Sequence, residues 1–144
     1  MLWVTSSFCQ ETVQPSFKVT PKQIDSLIKK TFKGKGKIVS NYNTLPRESF
    51  RFDRKTGELF FIDLLYPWDK VMDFYILKNQ LVKLGINKMD EQRKKTYWSW
   101  YYFDNGSLIH RNENFIKPQE ETELKRIFEE FRAKAETVKP LKFR

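Results

Sequence analysis

The apolar positions of this chain follow two different periods. Ile24, Leu27, Ile28 and Phe32 recur at helical spacing behind Thr20-Pro21-Lys22-Gln23. Thr20 can cap that helix, Pro21 suits its first position, and Gln23 can close a capping box. Gly34 is its expected stop. Leu124, Ile127, Phe128, Phe131 and Ala135 make a second single stripe, in a segment starting near Pro118. Glu120, Glu121 and Glu123 crowd its first turn, where the helix dipole favours negative charge. Both stripes are expected to cover a core.

Between the helices the period drops to two. Ser49 to Asp53, Arg54-Lys55-Thr56-Gly57, then Glu58 to Asp63 reads as strand, turn, strand. Tyr97 to Phe103, Asp104-Asn105-Gly106, then Ser107 to Arg111 reads the same way, and Asn-Gly tolerates the positive φ of a tight hairpin turn. Residues 71–86, VMDFYILKNQLVKLGI, fit two readings. A helix there would be apolar almost all round. A hairpin would set Met72, Phe74 and Ile76 on one face, a turn at Lys78-Asn79-Gln80, then Val82, Leu84 and Ile86 on one face. An internal repeat favours the hairpin, because Phe74 to Val82 aligns with Trp100 to Ile109 when one residue is inserted, and Phe50 to Phe61 is a looser third copy. The whole predicts an α+β domain: an antiparallel β-meander of about six or seven strands flanked by an N-terminal and a C-terminal helix.

Tyr101-Tyr102-Phe103-Asp104-Asn105-Gly106-Ser107-Leu108-Ile109, followed by a polar stretch and an acidic amphipathic helix, resembles secreted or periplasmic proteins of Bacteroidetes-type bacteria with recurring YYF-x-NG-x-L-I hairpins ahead of a closing helix. The resemblance covers roughly residues 68–136, with Gln80 in place of the Gly in the middle copy. It implies the fold and an extracytoplasmic compartment, and no activity.

The N-terminus bears on the same question. MLWVTSSFCQ holds no charged side chain and is too short to span a bilayer, which takes ~20 apolar residues. It reads as the back half of a secretory signal without its basic front end, or as an edge strand, LWVTSSF. The expected organisation is a signal remnant and leader over 1–14, one domain over 15–138, and a basic tail over 139–144. A lipidated Cys9 is disfavoured by Phe8, which stands where a small residue is needed.

Composition narrows the function. The 144 residues carry a formal net charge of +9, 40% hydrophobic and 16% aromatic residues, one Cys and one His. One Cys excludes an internal disulfide framework, and one Cys with one His excludes the usual zinc sites, so no metal and no cofactor is expected. The charge is spread over both halves, unlike a basic nucleic-acid arm. Its densest run, Lys29, Lys30, Lys33, Lys35 and Lys37, is a solvated helix end and loop or a patch for an anionic surface.

Phosphate-loop, GxGxxG, GxSxG and HExxH motifs are all missing, and no catalytic residue is assigned. A Cys9–His110 nucleophile pair rests on composition alone, and His110 reads as a half-exposed strand residue. Asp53, Glu58 and Asp63 share one hairpin, where Asp53 and Asp63 could face each other as an acid pair. Cross-strand pairing with Arg51 or Arg54 is the alternative. The run Tyr97-Trp98-Ser99-Trp100-Tyr101-Tyr102-Phe103 is bulky on both faces of a strand. If both helices cover one face, the other carries Trp98, Trp100 and Tyr102 as a ligand surface with Arg111 at its rim; if the helices bury these three, Tyr97, Tyr101 and Phe103 face outward. The function expected is a non-enzymatic, extracytoplasmic binding or interaction module for a protein, a glycan or a small anionic ligand. The alternatives are a cytoplasmic nucleic-acid-binding protein using the sheet face and the Lys run, and a small hydrolase.

Overall fold

Strands that are apolar on both faces need cover on both faces, and the chain folds accordingly. A computed structural model describes residues 19–32, 36–67, 70–89, 92, 95–113 and 120–143. The expectations for residues 1–14 fall outside these. The elements are α1 (Pro21–Thr31), β1 (Gly36–Asn41), β2 (Arg47–Asp53), β3 (Leu59–Tyr66), β4 (Lys70–Leu77), β5 (Gln80–Met89), β6 (Thr96–Asp104), β7 (Ser107–Asn112) and α2 (Glu121–Val138), with a short 3-10 turn at Leu141–Phe143. The seven strands form one sheet in sequence order, every neighbouring pair antiparallel. This is the α+β meander that the two periods predict. Residues 71–86 are a hairpin.

The two helices lie on opposite faces. Leu124, Phe128, Phe131 and Ala135 of α2 pack on Phe50, Phe52, Ile62, Leu64, Met72, Phe74, Leu84, Ile86, Tyr101 and Phe103. Ile24 and Ile28 of α1 pack with Tyr102, and with Tyr75, Leu77, Val82 and Trp100 at the margin. The expectation that both helices share a face is therefore corrected. Neighbours such as Phe74 and Tyr75, or Tyr101 and Tyr102, point to opposite sides of the sheet, and each apolar side acquires its own helix. Tyr101 and Phe103 are buried, not outward.

The Thr20–Gln23 capping box forms as expected, with Gln23 N–H donating to Thr20 Oγ1 at 3.2 Å and Thr20 N–H to Gln23 Oε1 at 2.8 Å. Leu27 falls outside the packed stripe and is 49% exposed.

Three of the hairpins, β2–β3, β4–β5 and β6–β7, carry one extra residue on the return strand. The pairs Phe52–Leu59, Ile76–Leu81 and Phe103–Leu108 are followed by Arg51–Phe61, Tyr75–Lys83 and Tyr102–His110, so Phe60, Val82 and Ile109 are bulged. The bulge explains a shift in the middle hairpin. Leu81, not Val82, joins Leu84 and Ile86 in the α2-side core, and Val82 turns to α1. The turn there is the two residues Lys78-Asn79, with φ of 49° and 65°.

One charged residue is sunk in the α2-side layer. Glu48 is 3% exposed and pairs with the ammonium of Lys134. Removing the partner leaves a buried carboxylate alone. Lys134→Met is expected to lower stability by about 1–2 kcal/mol, discounted from a fully buried pair because Lys134 is half exposed. Equal urea midpoints for variant and wild type would show that the pair does not hold α2.

Candidate functional site

The α1-side face is organised in rungs across the strands. One runs Arg51, Phe61, Tyr75, Lys83, Tyr102, His110. The next runs Ser49, Asp63, Asp73, Gly85, Trp100, and a third Leu65, Val71, Asn87, Trp98. An 11-residue helix is about 16 Å long, whereas seven strands span about 29 Å, so α1 covers only part of this face.

Under α1 the first rung is closed by an aromatic cage around a lysine. Lys83 Nζ lies 4.3 Å from the Trp100 ring, 5.1 Å from Tyr102 and 5.6 Å from Tyr75. Asp25 of α1 accepts from Lys83 at 2.5 Å, and from the Tyr102 hydroxyl at 3.0 Å. Burial first, then the hydrogen bond to Asp25 and its charge, push the Tyr102 hydroxyl up to about 12. Trp98 and Trp100 stack with ring centroids 4.7 Å apart and planes 6° from parallel. Trp100 is thus held between Trp98 and Lys83, and offers an edge to a ligand rather than a face. The indoles lie on Gly85, where an added Cβ would come within 2.5 Å of Trp100 and 3.0 Å of Trp98.

Beside Gly85 the second rung holds two carboxyl groups face to face. Asp63 of β3 is directly opposite Asp73 of β4, in the middle of the sheet. Burial, then the hydrogen bond and charge of Asp63, push Asp73 up to about 8, and Arg51 offsets this only in part. Burial and the facing carboxylate thus favour a pair that keeps one proton between Asp63 and Asp73. Asp73 Oδ1 and Arg51 Nε are both buried with no hydrogen-bond partner. A sheet built for stability alone would place apolar residues here, because like charges opposite each other and unsatisfied buried polar atoms both cost free energy. A perturbed carboxyl pair beside large aromatic rings makes this part of the face the candidate site.

The sequence-expected residues divide. Trp98, Trp100 and Tyr102 share the α1 side, but Tyr102 is buried against α1. Arg111 pairs with Tyr101 and sits over its ring at 5.8 Å, which puts it on the α2 side, away from the indoles. Lys29 and Lys30 end α1, whereas Lys37 stands opposite Phe52 of the α2-side core; Lys33 and Lys35 lie outside the described residues. His110 is an exposed strand residue 5.9 Å from the Tyr102 ring, and Cys9 is not described. Asp53 does not face Asp63. Its carboxylate accepts from the backbone N–H groups of Lys55 and Thr56 at 2.8 and 2.9 Å, and these bonds hold it below the usual carboxylate range. Sequence reasoning missed Asp73. The available signal was the parity of Asp63 and Asp73 about the Tyr66–Lys70 hairpin end.

Among the described residues no group of three His, Cys, Asp or Glu could hold a metal ion, and no helix is long and apolar enough to cross a membrane. Comparison of the chain with protein-family models, curated proteins and solved structures returns no match.

Proposed function

We propose that the chain is a non-enzymatic binding module that works outside the cytoplasm and takes its ligand on the α1-side face, beside Trp98, Trp100, Asp63 and Asp73. The observation that carries this reading is the incompletely satisfied Asp63–Asp73–Arg51 group at the sheet centre, next to the indole pair and on rungs wider than α1 can cover. Such a group costs stability, and binding is a reason to keep it. Its geometry suits binding better than glycoside hydrolysis. Carboxyls in hydrogen-bond contact are closer than the ~5–5.5 Å of retaining or the ~6.5–9.5 Å of inverting enzymes. A glycan or a protein segment rich in hydroxyl and amide groups fits the mixture of donors, acceptors and aromatic edges. The extracytoplasmic assignment rests on the apolar, uncharged start of the chain.

The test is a glycan array followed by titration of each hit into 15N-labelled protein. Shifts are expected to gather at Asp73, Gly85, Asn87 and the indoles of Trp98 and Trp100. Asp63→Asn and Trp98→Ala should each weaken binding about tenfold while the protein stays folded. Hits that shift other surfaces, or variants that bind unchanged, overturn the site. Cell fractionation with N-terminal sequencing tests the compartment: intact residues 1–14 on a cytoplasmic protein would exclude export.

A further inference from the structure

The other face carries a second candidate, independent of the first. The hairpin turns at one end of the sheet face α2 from Lys125 onward, and two hollows lie between them. One, of about 650 Å³, is bordered by Lys78, Arg132 and Lys139 with Glu58 and Glu136. The other, of about 250 Å³, has an apolar floor of Leu81, Phe103 and Phe128. Asn79 and Arg132 border both. The larger hollow by itself falls in the size range of small-molecule sites.

Two features preorganise the charged groups there. Lys78 holds φ at 49°, a left-handed conformation that suits Gly or Asn and strains a residue with a long side chain. Its side chain is exposed at the rim of the larger hollow. Arg132 is fixed in place. Nη1 donates to the Asn79 carbonyl at 3.1 Å, Nη2 donates to Glu129 at 2.6 Å, and the guanidinium lies 5.3 Å from the Phe128 ring. Nε–H takes no part in these bonds and remains a donor. A preorganised guanidinium between a cation-bordered hollow and an apolar floor matches a ligand that is anionic at one end and apolar at the other.

We propose that this groove binds a small organic anion, a carboxylate or phosphate monoester on an apolar body, with the anionic group between Lys78 and Arg132 and the apolar body on Leu81, Phe103 and Phe128. Lys78, Arg132 and Lys139 border the larger hollow with Glu58 and Glu136, Arg132 being already paired with Glu129, and the chain's net charge of +9 favours anion approach.

Phenyl phosphate and phenylacetate are the probes, with inorganic phosphate and benzyl alcohol as controls, titrated into the full chain and followed by 15N NMR. Both probes are expected to shift Asn79, Gly106 and the Arg132 Nε–H, and to bind about tenfold tighter than either control. Tighter phenyl phosphate than phenylacetate identifies a phosphate monoester as the ligand class; the reverse identifies a carboxylate. Lys78→Gly separates binding from folding. It relieves the left-handed strain, so the melting temperature should rise by a few degrees, while probe affinity should fall several-fold. Arg132→Lys keeps the charge but loses the planar fork, and should weaken both probes. Unchanged probe affinity in Lys78→Gly, shifts confined to other residues, or controls binding as well as the probes would overturn the proposal.

Discussion

Asp73→Asn will stabilise the protein, and the gain will grow as the pH rises from about 5 to about 8. The wild-type carboxyl ionises near 3.8 when exposed, but only at about 8 in the folded chain, because burial and Asp63 disfavour its charge. Its folded pKa is raised, so between these values the native state holds a proton that the unfolded state has released. Stability must then fall with rising pH, by up to about 1.4 kcal/mol per unit while the two states differ by a full proton. The contribution is fully present below the unfolded value and is gone above the folded one. An Asn can donate to Asp63 as the protonated Asp73 does, and it carries no charge to desolvate. At pH 8 the expected gain is about 2–4 kcal/mol, well below the full product of slope and shift, since the group is not completely buried. Urea unfolding of both proteins at several pH values reads this directly. Parallel pH profiles would mean that Asp63 and Asp73 do not share a proton. If the face is also the binding surface, the stabilised variant should bind less well, the trade expected of a site that costs stability.

The second large effect is expected at Gly85. A valine there must displace two indoles at once, since even a single Cβ would sit 2.5 Å from Trp100 Cζ3 and 3.0 Å from Trp98 Cζ3. Trp100 cannot simply swing aside, because Trp98 packs on one face of it and Lys83 on the other. Opening the stack also loosens the Lys83 cage under α1. Gly85→Val is expected to cost about 2–3 kcal/mol, in the range of overpacked cores. The near-UV circular dichroism of the stacked indoles should fall while the far-UV spectrum is kept, and iodide should quench the indoles more readily. A loss under 0.5 kcal/mol with an unchanged near-UV spectrum would show that the indoles do not rest on the sheet at this point.

Much of the fold was legible from local pattern. Thr20, Pro21 and Gln23 specify a helix start through bonds made within one turn, and Asn105-Gly106 specify a hairpin by their backbone conformations. The repeat of Phe74 to Val82 with Trp100 to Ile109 favoured the hairpin at residues 71–86, but its register was one residue off: both turns are two residues long, so Phe74 to Val82 corresponds without an insertion to Tyr101 to Ile109. The bulge was less visible. A leucine followed by another large apolar residue after each turn, as in Leu59-Phe60, Leu81-Val82 and Leu108-Ile109, reads equally well as ordinary strand until the register is known.

By itself the sequence indicated the two helices, six of the seven strands, their order and the apolar character of both sides of the sheet, because caps, turns and alternation act between residues close along the chain. Three things were left to the tertiary structure. It decided which helix covers which side, since an apolar stripe does not name its partner. It decided that Asp63 meets Asp73 and not Asp53, since a pairing depends on where a turn closes, and one residue of slip moves a side chain to the other side. And it decided that Trp100 is held between Trp98 and Lys83 while Arg111 lies on the far side, because those positions follow from strand register and from the room that Gly85 leaves above it.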